Sequence, residues 1–284
     1  MVLAVASPAM GAPSSAGTPS PAGVPSPAGA PAAAPVSCPS GTEVQEKKDD
    51  KGHLLARGCR KGSVNHGPMT FYDPAGWKQT EATFKDGQLD GKVTTFWPGG
   101  QKYLVGTYRA GKPDGRFTAY DEKGKVLGSY TLRAGTGTRI DWYPSGKKRQ
   151  VAQLKNDQPD GFVTDYYENG QVEVRVPYRA GLKQGKAESW HPGGVKSGEA
   201  EYRDNVQEGL EVRWNEQGIK VLERTFQNGA LHGKEWRWDD TGRFRECTCV
   251  IEGKVLWALP PNGMKLDPAE SKQMGEVVKA HPCP

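Results

Sequence analysis

Four residues near the C-terminus are of types that hold a transition metal: Cys247, Cys249, His281 and Cys283. Two cysteines spaced two apart on a strand point to one face, and with a histidine and a third cysteine they make a zinc-type ligand set. The same residues admit a plainer chemistry, a disulfide from Cys247 or Cys249 to Cys283. In an exported chain that pairing is the stronger expectation, with Cys249 the favoured partner. Five cysteines then leave one thiol over, and Cys38 and Cys59 form the other expected pair. A lipid anchor on Cys38 is the rival there, but Pro35-Val36-Ser37-Cys38 is a poor acylation sequence. The remaining histidines, His53, His66, His191 and His232, pair with no nucleophile motif and are expected as solvated loop residues. The glycines form no phosphate loop, because they recur with the turns. The expectation is therefore a non-enzymatic chain with no catalytic residue, no metal and no cofactor.

What positions these residues is a repeat. Between residues 67 and 256 one pattern recurs eight times. Its opening glycines are Gly67, Gly91, Gly115, Gly137, Gly161, Gly185, Gly209 and Gly233, spaced 24 residues apart except for 22 between Gly115 and Gly137. A fixed period of this size marks a repeat architecture. With the opening Gly as position 1, position 6 is aromatic in every copy: Tyr72, Phe96, Tyr120, Trp142, Tyr166, Trp190, Trp214 and Trp238. Position 10 is always Gly, position 18 is apolar or aromatic, and position 21 is Gly or a residue that tolerates a left-handed backbone.

Pro, Glu or Asp at position 8 and Gly at position 10 suit a three-residue hairpin loop, a type I turn followed by a left-handed residue. The second loop, between positions 20 and 24, reads the same way. Each copy is then a β-hairpin and the series an antiparallel meander. An odd loop pairs even positions with even ones, so positions 6, 16 and 18 should share a face. The short third copy lacks two residues inside a loop, which keeps the faces in phase. The whole predicts an all-β fold: an elongated single-layer antiparallel meander of about eight stacked 24-residue hairpins. The rings at position 6 are expected to pack between neighbouring repeats.

The Gly-x4-aromatic-x3-Gly pattern, clearest in Gly161-Phe162-Val163-Thr164-Asp165-Tyr166-Tyr167-Glu168-Asn169-Gly170, resembles the MORN repeat. It is most similar to the variant in bacterial proteins of the YwqK antitoxin type. That resemblance implies stacked hairpins and binding roles, from membrane association to protein partners, and no single activity.

Residues 1–37 are nearly all Ala, Pro, Ser, Gly and Val. Their first six resemble the end of a signal peptide's apolar region, and the rest reads as a tether unable to pack a core. Residues 38–66 read as a degenerate cap, with Lys48 in place of the repeat's aromatic. Residues 257–284 form a second cap: Asp267-Pro268-Ala269-Glu270 starts a helix over about 268–280, with Met274, Val277 and Val278 on its apolar side. Pro177 removes a ladder donor, which predicts a weak pairing or a bulge. No apolar run is long enough for a transmembrane helix.

Position 19 carries the sharpest functional hint: Lys85, Arg109, Arg133, Lys155, Arg179 and Arg203 in the first six copies. Stacked hairpins would align them as a basic row that docks an anionic partner, such as an acidic protein, anionic lipid head groups or a cell-surface polymer. With a net charge of only +5, nucleic acid is not the expected partner. The expected role is binding or scaffolding at the cell envelope through the sheet surface, the chain being exported (periplasmic, surface-bound or secreted) and peripheral to any membrane. A cytoplasmic, YwqK-like antitoxin or immunity protein that neutralises a cognate partner is the first alternative. A metal-dependent enzyme built on Cys247, Cys249, His281 and Cys283 is the second.

Overall fold

The computed structural model describes residues 36–260 and 267–283. The Ala/Pro-rich segment, up to residue 35, lies outside the described residues. From Val36 onward the chain forms one open antiparallel sheet of 22 strands in which sequence neighbours pair. Three of these, Lys112–Pro113, Leu182–Lys183 and Ala230–Leu231, are short pieces that a single residue separates from the next strand. The hairpin of Glu43–Lys48 and Leu54–Lys61 precedes the eight repeats, and Lys254–Leu259 follows them as the last strand. The meander therefore has the expected class, with one helix at its end among the described residues.

Two kinds of turn drive the fold. The first is the expected one: in Asp73–Trp77, Gly76 N–H donates to the Asp73 carbonyl and Gly76 has a φ of 90°. The second differs from the three-residue loop read from the sequence. Position 19 pairs directly with position 22, as in Lys85 with Gln88, so only two residues turn the chain. Both have positive φ, 48° at Asp86 and 81° at Gly87, which is the type I′ requirement. Three copies place alanine in this left-handed slot, Ala110, Ala134 and Ala180, with φ of 47–48°.

The shared face also differs from the expectation. In the first repeat Gly67 pairs with Phe84, Met69 with Ala82 and Phe71 with Thr80, so odd positions oppose even ones. A bulge between Phe71 and Tyr72 shifts the register, and the copies that follow repeat it. The extra residue, at position 13, reverses the parity that the loop alone would set. Position 3, not position 6, therefore shares the buried face with positions 16 and 18. Two ring-filled clusters occupy this face in the first half of the array. Met69, Ala82, Phe84 and Val93 form one, and Phe117, Tyr130, Leu132, Ala152 and Leu154 the other.

Backbone and side chains lace the I′ turns together. In each copy the position-21 N–H donates to a carbonyl in or just after the preceding turn, from Gly87 to Asn65 through to Gly253 to Leu231. The residue before an opening glycine adds a side-chain bond, as Asp90, Asp160, Gln184 and Glu208 accept from the N–H of Ala110, Ala180, Asp204 and Asn228. His66 fills the same role, accepting from the Asp86 N–H. At the opposite edge, position-7 side chains donate to the next repeat's position-6 carbonyl: Trp97 to Tyr120, Tyr143 to Tyr166 and Tyr167 to Trp190. His191 joins them, its Nε2 lying 2.8 Å from the Trp214 carbonyl. These histidines are structural ties and not the solvated loop residues their positions had implied.

Pro177 sits opposite Phe162 in a regular stretch of its hairpin. The ladder toward the next repeat is broken there, but junctions without proline break at the same position, as at Thr83 and Gln153. The irregularity belongs to the repeat and proline merely tolerates it. At the C-terminus, Pro268–Ala280 is a helix with Asp267 and Glu270 forming a capping box. It lies against the strand Phe244–Ile251, burying Val278 beside Met274, while Val277 points outward at 49% exposure.

Candidate functional site

The cysteines are placed by the repeat's register. Cys59 and Cys249 occupy position 17 of the cap and of the last repeat, and each ties down a terminal segment, through Cys38 and Cys283 respectively. Cys247 is the free thiol and has no solvent exposure. Burial beneath the helix pushes its pKa up to about 12, so it stays protonated and unreactive. The four-ligand metal set is dismantled, because Cys249 and Cys283 are spent on each other. His281 instead meets Trp257 edge-on at 4.7 Å. Among the described residues no group of three or more His, Cys, Asp or Glu side chains is arranged to hold a metal.

All eight position-6 rings are half-buried, yet they do not stack into a continuous ladder. Equivalent positions lie two strands apart, about 9.5 Å, beyond the 4.5–7 Å of a ring pair. The intervening strand supplies the contact instead. Lys78, Lys196 and Lys220 at position 12 place their ammonium groups 4.2, 5.6 and 5.0 Å from the rings of Phe96, Trp214 and Trp238. Only the short junction brings a position-6 ring onto the preceding repeat's ring, Trp142 on Tyr130 at 6.3 Å.

The six basic residues at position 19 are all exposed. Arg109 has Asp114 at 3.6 Å, and the other five have no ion-pair partner among the described residues. Lys112 pairs across the turn from Arg109 and adds a charge the periodic reading had missed.

A second feature, absent from the sequence reading, is a groove of about 500 Å³ on the buried-type face of repeats five to seven. Its floor is Val174, Val176, Ala187, Gly198 and Ala200, where the third copy carries Phe117 and Tyr130 at positions 3 and 16. Tyr202 and Lys183 flank it, the ammonium 5.1 Å from the ring. Its far wall is a charged string. Glu211, 5% exposed, accepts from Arg224 at 2.9 Å, Arg213 at 2.7 Å and Gln207 at 2.9 Å. Arg224 reaches on to Glu235, which Arg237 also holds. Burial would raise the Glu211 pKa, but the bonds from Arg224, Gln207 and Arg213 outweigh it and hold the carboxyl below its usual range. The signal for the charged wall was in the columns, where Glu211 and Glu235 replace Met69, Val93 and Phe117 at position 3; position 16 is small in Ala82, Gly106 and Ala152 as it is in Ala200, so the open floor carries no signal of its own.

The sequence profile of a family described as "MORN repeat variant" matches residues 65–86 and 159–180. No curated protein matches the sequence. Among solved structures, "Crystal Structure of TcdB2-TccC3" is similar at 15% identity and a TM-score of 0.19, over 73% of this chain and 14% of that one. "Crystal Structure of TcdB2-TccC3-Cdc42" is similar at 14% identity and a TM-score of 0.15, over 73% and 13% of the two chains. The chain thus spans under a fifth of either matched chain, and what it shares with the matching family is the repeat variant at those two places.

Proposed function

We propose that this is a non-enzymatic binding or scaffold protein of the cell envelope, working through its sheet surface on an acidic protein or another anionic envelope component. The observation that carries this reading is the position-19 row: six exposed basic side chains, five of them without an ion-pair partner among the described residues. Backbone lacing at every I′ turn sets the row's Cα positions at intervals of about 9.5 Å, so a partner has only the side chains left to order. Two disulfides and the signal-like start support an exported chain. An antitoxin role would use the same surface, and rests on the family resemblance alone.

Replacing Arg109, Arg133 and Arg179 together with Ser tests the reading. The melting temperature should hardly move, because these side chains are exposed. Affinity for anionic vesicles, or for an acidic protein captured from envelope extract, should fall, and the wild-type affinity should weaken with added salt. Equal binding by the two proteins would make the row ordinary solvated surface.

A further inference from the structure

We propose that the last strand, Lys254–Leu259, is an open edge on which a second copy of this chain pairs, antiparallel and about a two-fold axis. This surface is separate from the basic row. An open sheet has two edges, and a strand at either one presents unpaired N–H and C=O groups that template another strand. Among the described residues the edges are Glu43–Lys48, bonded only to Leu54–Lys61, and Lys254–Leu259, bonded only to Phe244–Ile251. The two are built in opposite ways. Glu43–Lys48 carries Glu43, Glu46, Lys47 and Lys48, with Glu46 and Lys48 3.6 Å apart. Charges on an edge deter pairing, because a partner strand would have to desolvate them. Lys254–Leu259 reads Lys-Val-Leu-Trp-Ala-Leu, and its one charge sits at the end, beside the turn. Val255 and Leu256 are 64% and 55% exposed, more than any other large apolar side chain among the described residues.

The C-terminal helix does not cover these two side chains. Trp257 and Leu259 pack against the cluster that holds Val278, and the Trp257 indole donates to the Pro282 carbonyl, so helix and tail lie on one face of the strand. A bulge leaves Leu256 without a cross-strand neighbour. Bulges can themselves deter edge pairing. Yet Gln88–Phe96 and Gln158–Tyr166 begin with an equivalent irregularity and still pair on both sides. The occupant follows from charge and symmetry. Antiparallel pairing about the middle of the strand sets Lys254 opposite the apolar end of its partner and brings no like charges face to face. Head-to-tail pairing onto Glu43–Lys48 would set Val255 and Leu256 against a charged strand and would propagate without closing, whereas the two-fold pair closes on itself. A six-residue strand makes a small interface, so the association should be weak, with a dissociation constant in the micromolar range.

Sedimentation velocity of the full chain, from low micromolar to near-millimolar concentration, is the test. A monomer–dimer equilibrium should appear and stop at the dimer. It should respond little to added salt, since backbone and apolar groups make the contact. Leu256→Lys should weaken the dimer at least about tenfold, because symmetry brings the two new charges together in an edge that pairing desolvates. The melting temperature of the dilute monomer should hardly move, since Leu256 is exposed. If Leu256→Lys fails to fold, Leu256→Ser removes apolar surface without adding charge and should still weaken the dimer by about threefold. Val44→Lys, on the other edge strand, should leave it unchanged. A monomer at every concentration would overturn the inference and leave the edge to an extended segment of another protein. A dimer that the Leu256 variants leave intact would overturn it too, as would loss of the dimer in Val44→Lys or assemblies that lengthen with concentration. The Arg109/Arg133/Arg179→Ser protein should dimerise as the wild type does. Loss of the dimer there, with the Leu256 variants unaffected, would move the contact to the basic row, overturning the edge pairing while sparing the binding reading.

Discussion

Arg224→Met should destabilise the last repeats and change how they respond to acid. Arg224 is shared by Glu211 and Glu235, at 2.9 and 3.5 Å, and its side chain is 22% exposed. Removing one partner of a fully buried pair costs about 3–5 kcal/mol. Here Glu211 keeps Arg213 and Gln207, and Glu235 keeps Arg237, so about 2 kcal/mol is expected at neutral pH, taken between that range and the 0–1 of an exposed pair. With a urea slope of about 2–3 kcal/mol/M, the midpoint should fall by just under about 1 M. The pH dependence is the more specific readout. In the wild type the Glu211 carboxyl is held below its ordinary 4.5, so its contribution is full above that value. The contribution is lost only as pH falls through the lower folded value. Without Arg224, burial pulls the pKa back up, and stability should begin to fall at a higher pH. Urea midpoints at pH 7 and pH 5 would show the variant losing more than the wild type over that interval. Parallel losses in the two proteins would refute the assignment of Arg224 as the group that keeps Glu211 ionised.

Three further outcomes follow from the same geometry. Cys247, with its pKa pushed up to about 12, should resist a thiol reagent at pH 8 in the native protein, and the Cys249→Ser/Cys283→Ser double variant, which frees the helix end without adding a thiol, should speed its labelling. Ala110→Asn should stabilise the fold by about 0.5 kcal/mol in a denaturant titration, because Asn takes the left-handed φ of 48° with less strain than Ala. Tyr167→Phe removes the hydroxyl that donates to the Trp190 carbonyl at 2.9 Å and should cost about 1 kcal/mol in a denaturant titration.

The repeat, the hairpins, the helix bounds and the turn at position 10 were legible because residue types there are forced. A glycine at φ 90° such as Gly76 has few substitutes. The second turn was hidden for the opposite reason. Asn228-Gly229 announces an I′ turn, but Ala110, Ala134 and Ala180 occupy the same slot under strain, and alanine carries no turn signal. The bulge at position 13 was illegible as well, since Gln79, Tyr103, Arg149 and Ser197 share no property that marks it, and with it went the assignment of faces. The groove was missed because a period directs attention to what recurs. The information for its charged wall lies in what fails to recur, Glu211 and Glu235 where earlier copies have Met69 and Val93.

That failure has a structural counterpart, and it explains how the sheet survives an unfilled face. The ring clusters lie toward the two ends of the array, from Met69 to Leu154 and around Trp236, Trp238 and Phe244. The four position-7 ties run from the second repeat to the seventh: Trp97 to Tyr120, Tyr143 to Tyr166, Tyr167 to Trp190 and His191 to Trp214. At the opposite edge, Asp160, Gln184 and Glu208 hold the turns of the same repeats. Apolar burial joins neighbouring repeats toward the two ends, and hydrogen bonds along both edges join them throughout, including the middle where no buried cluster lies. Each bond is worth only about 1 kcal/mol, but a repeat array needs only neighbour-to-neighbour coupling to stay ordered. Edge bonding leaves the face between the two edges without a packing duty. Small residues such as Ala187, Gly198 and Ala200 can occupy that face without unfolding the sheet.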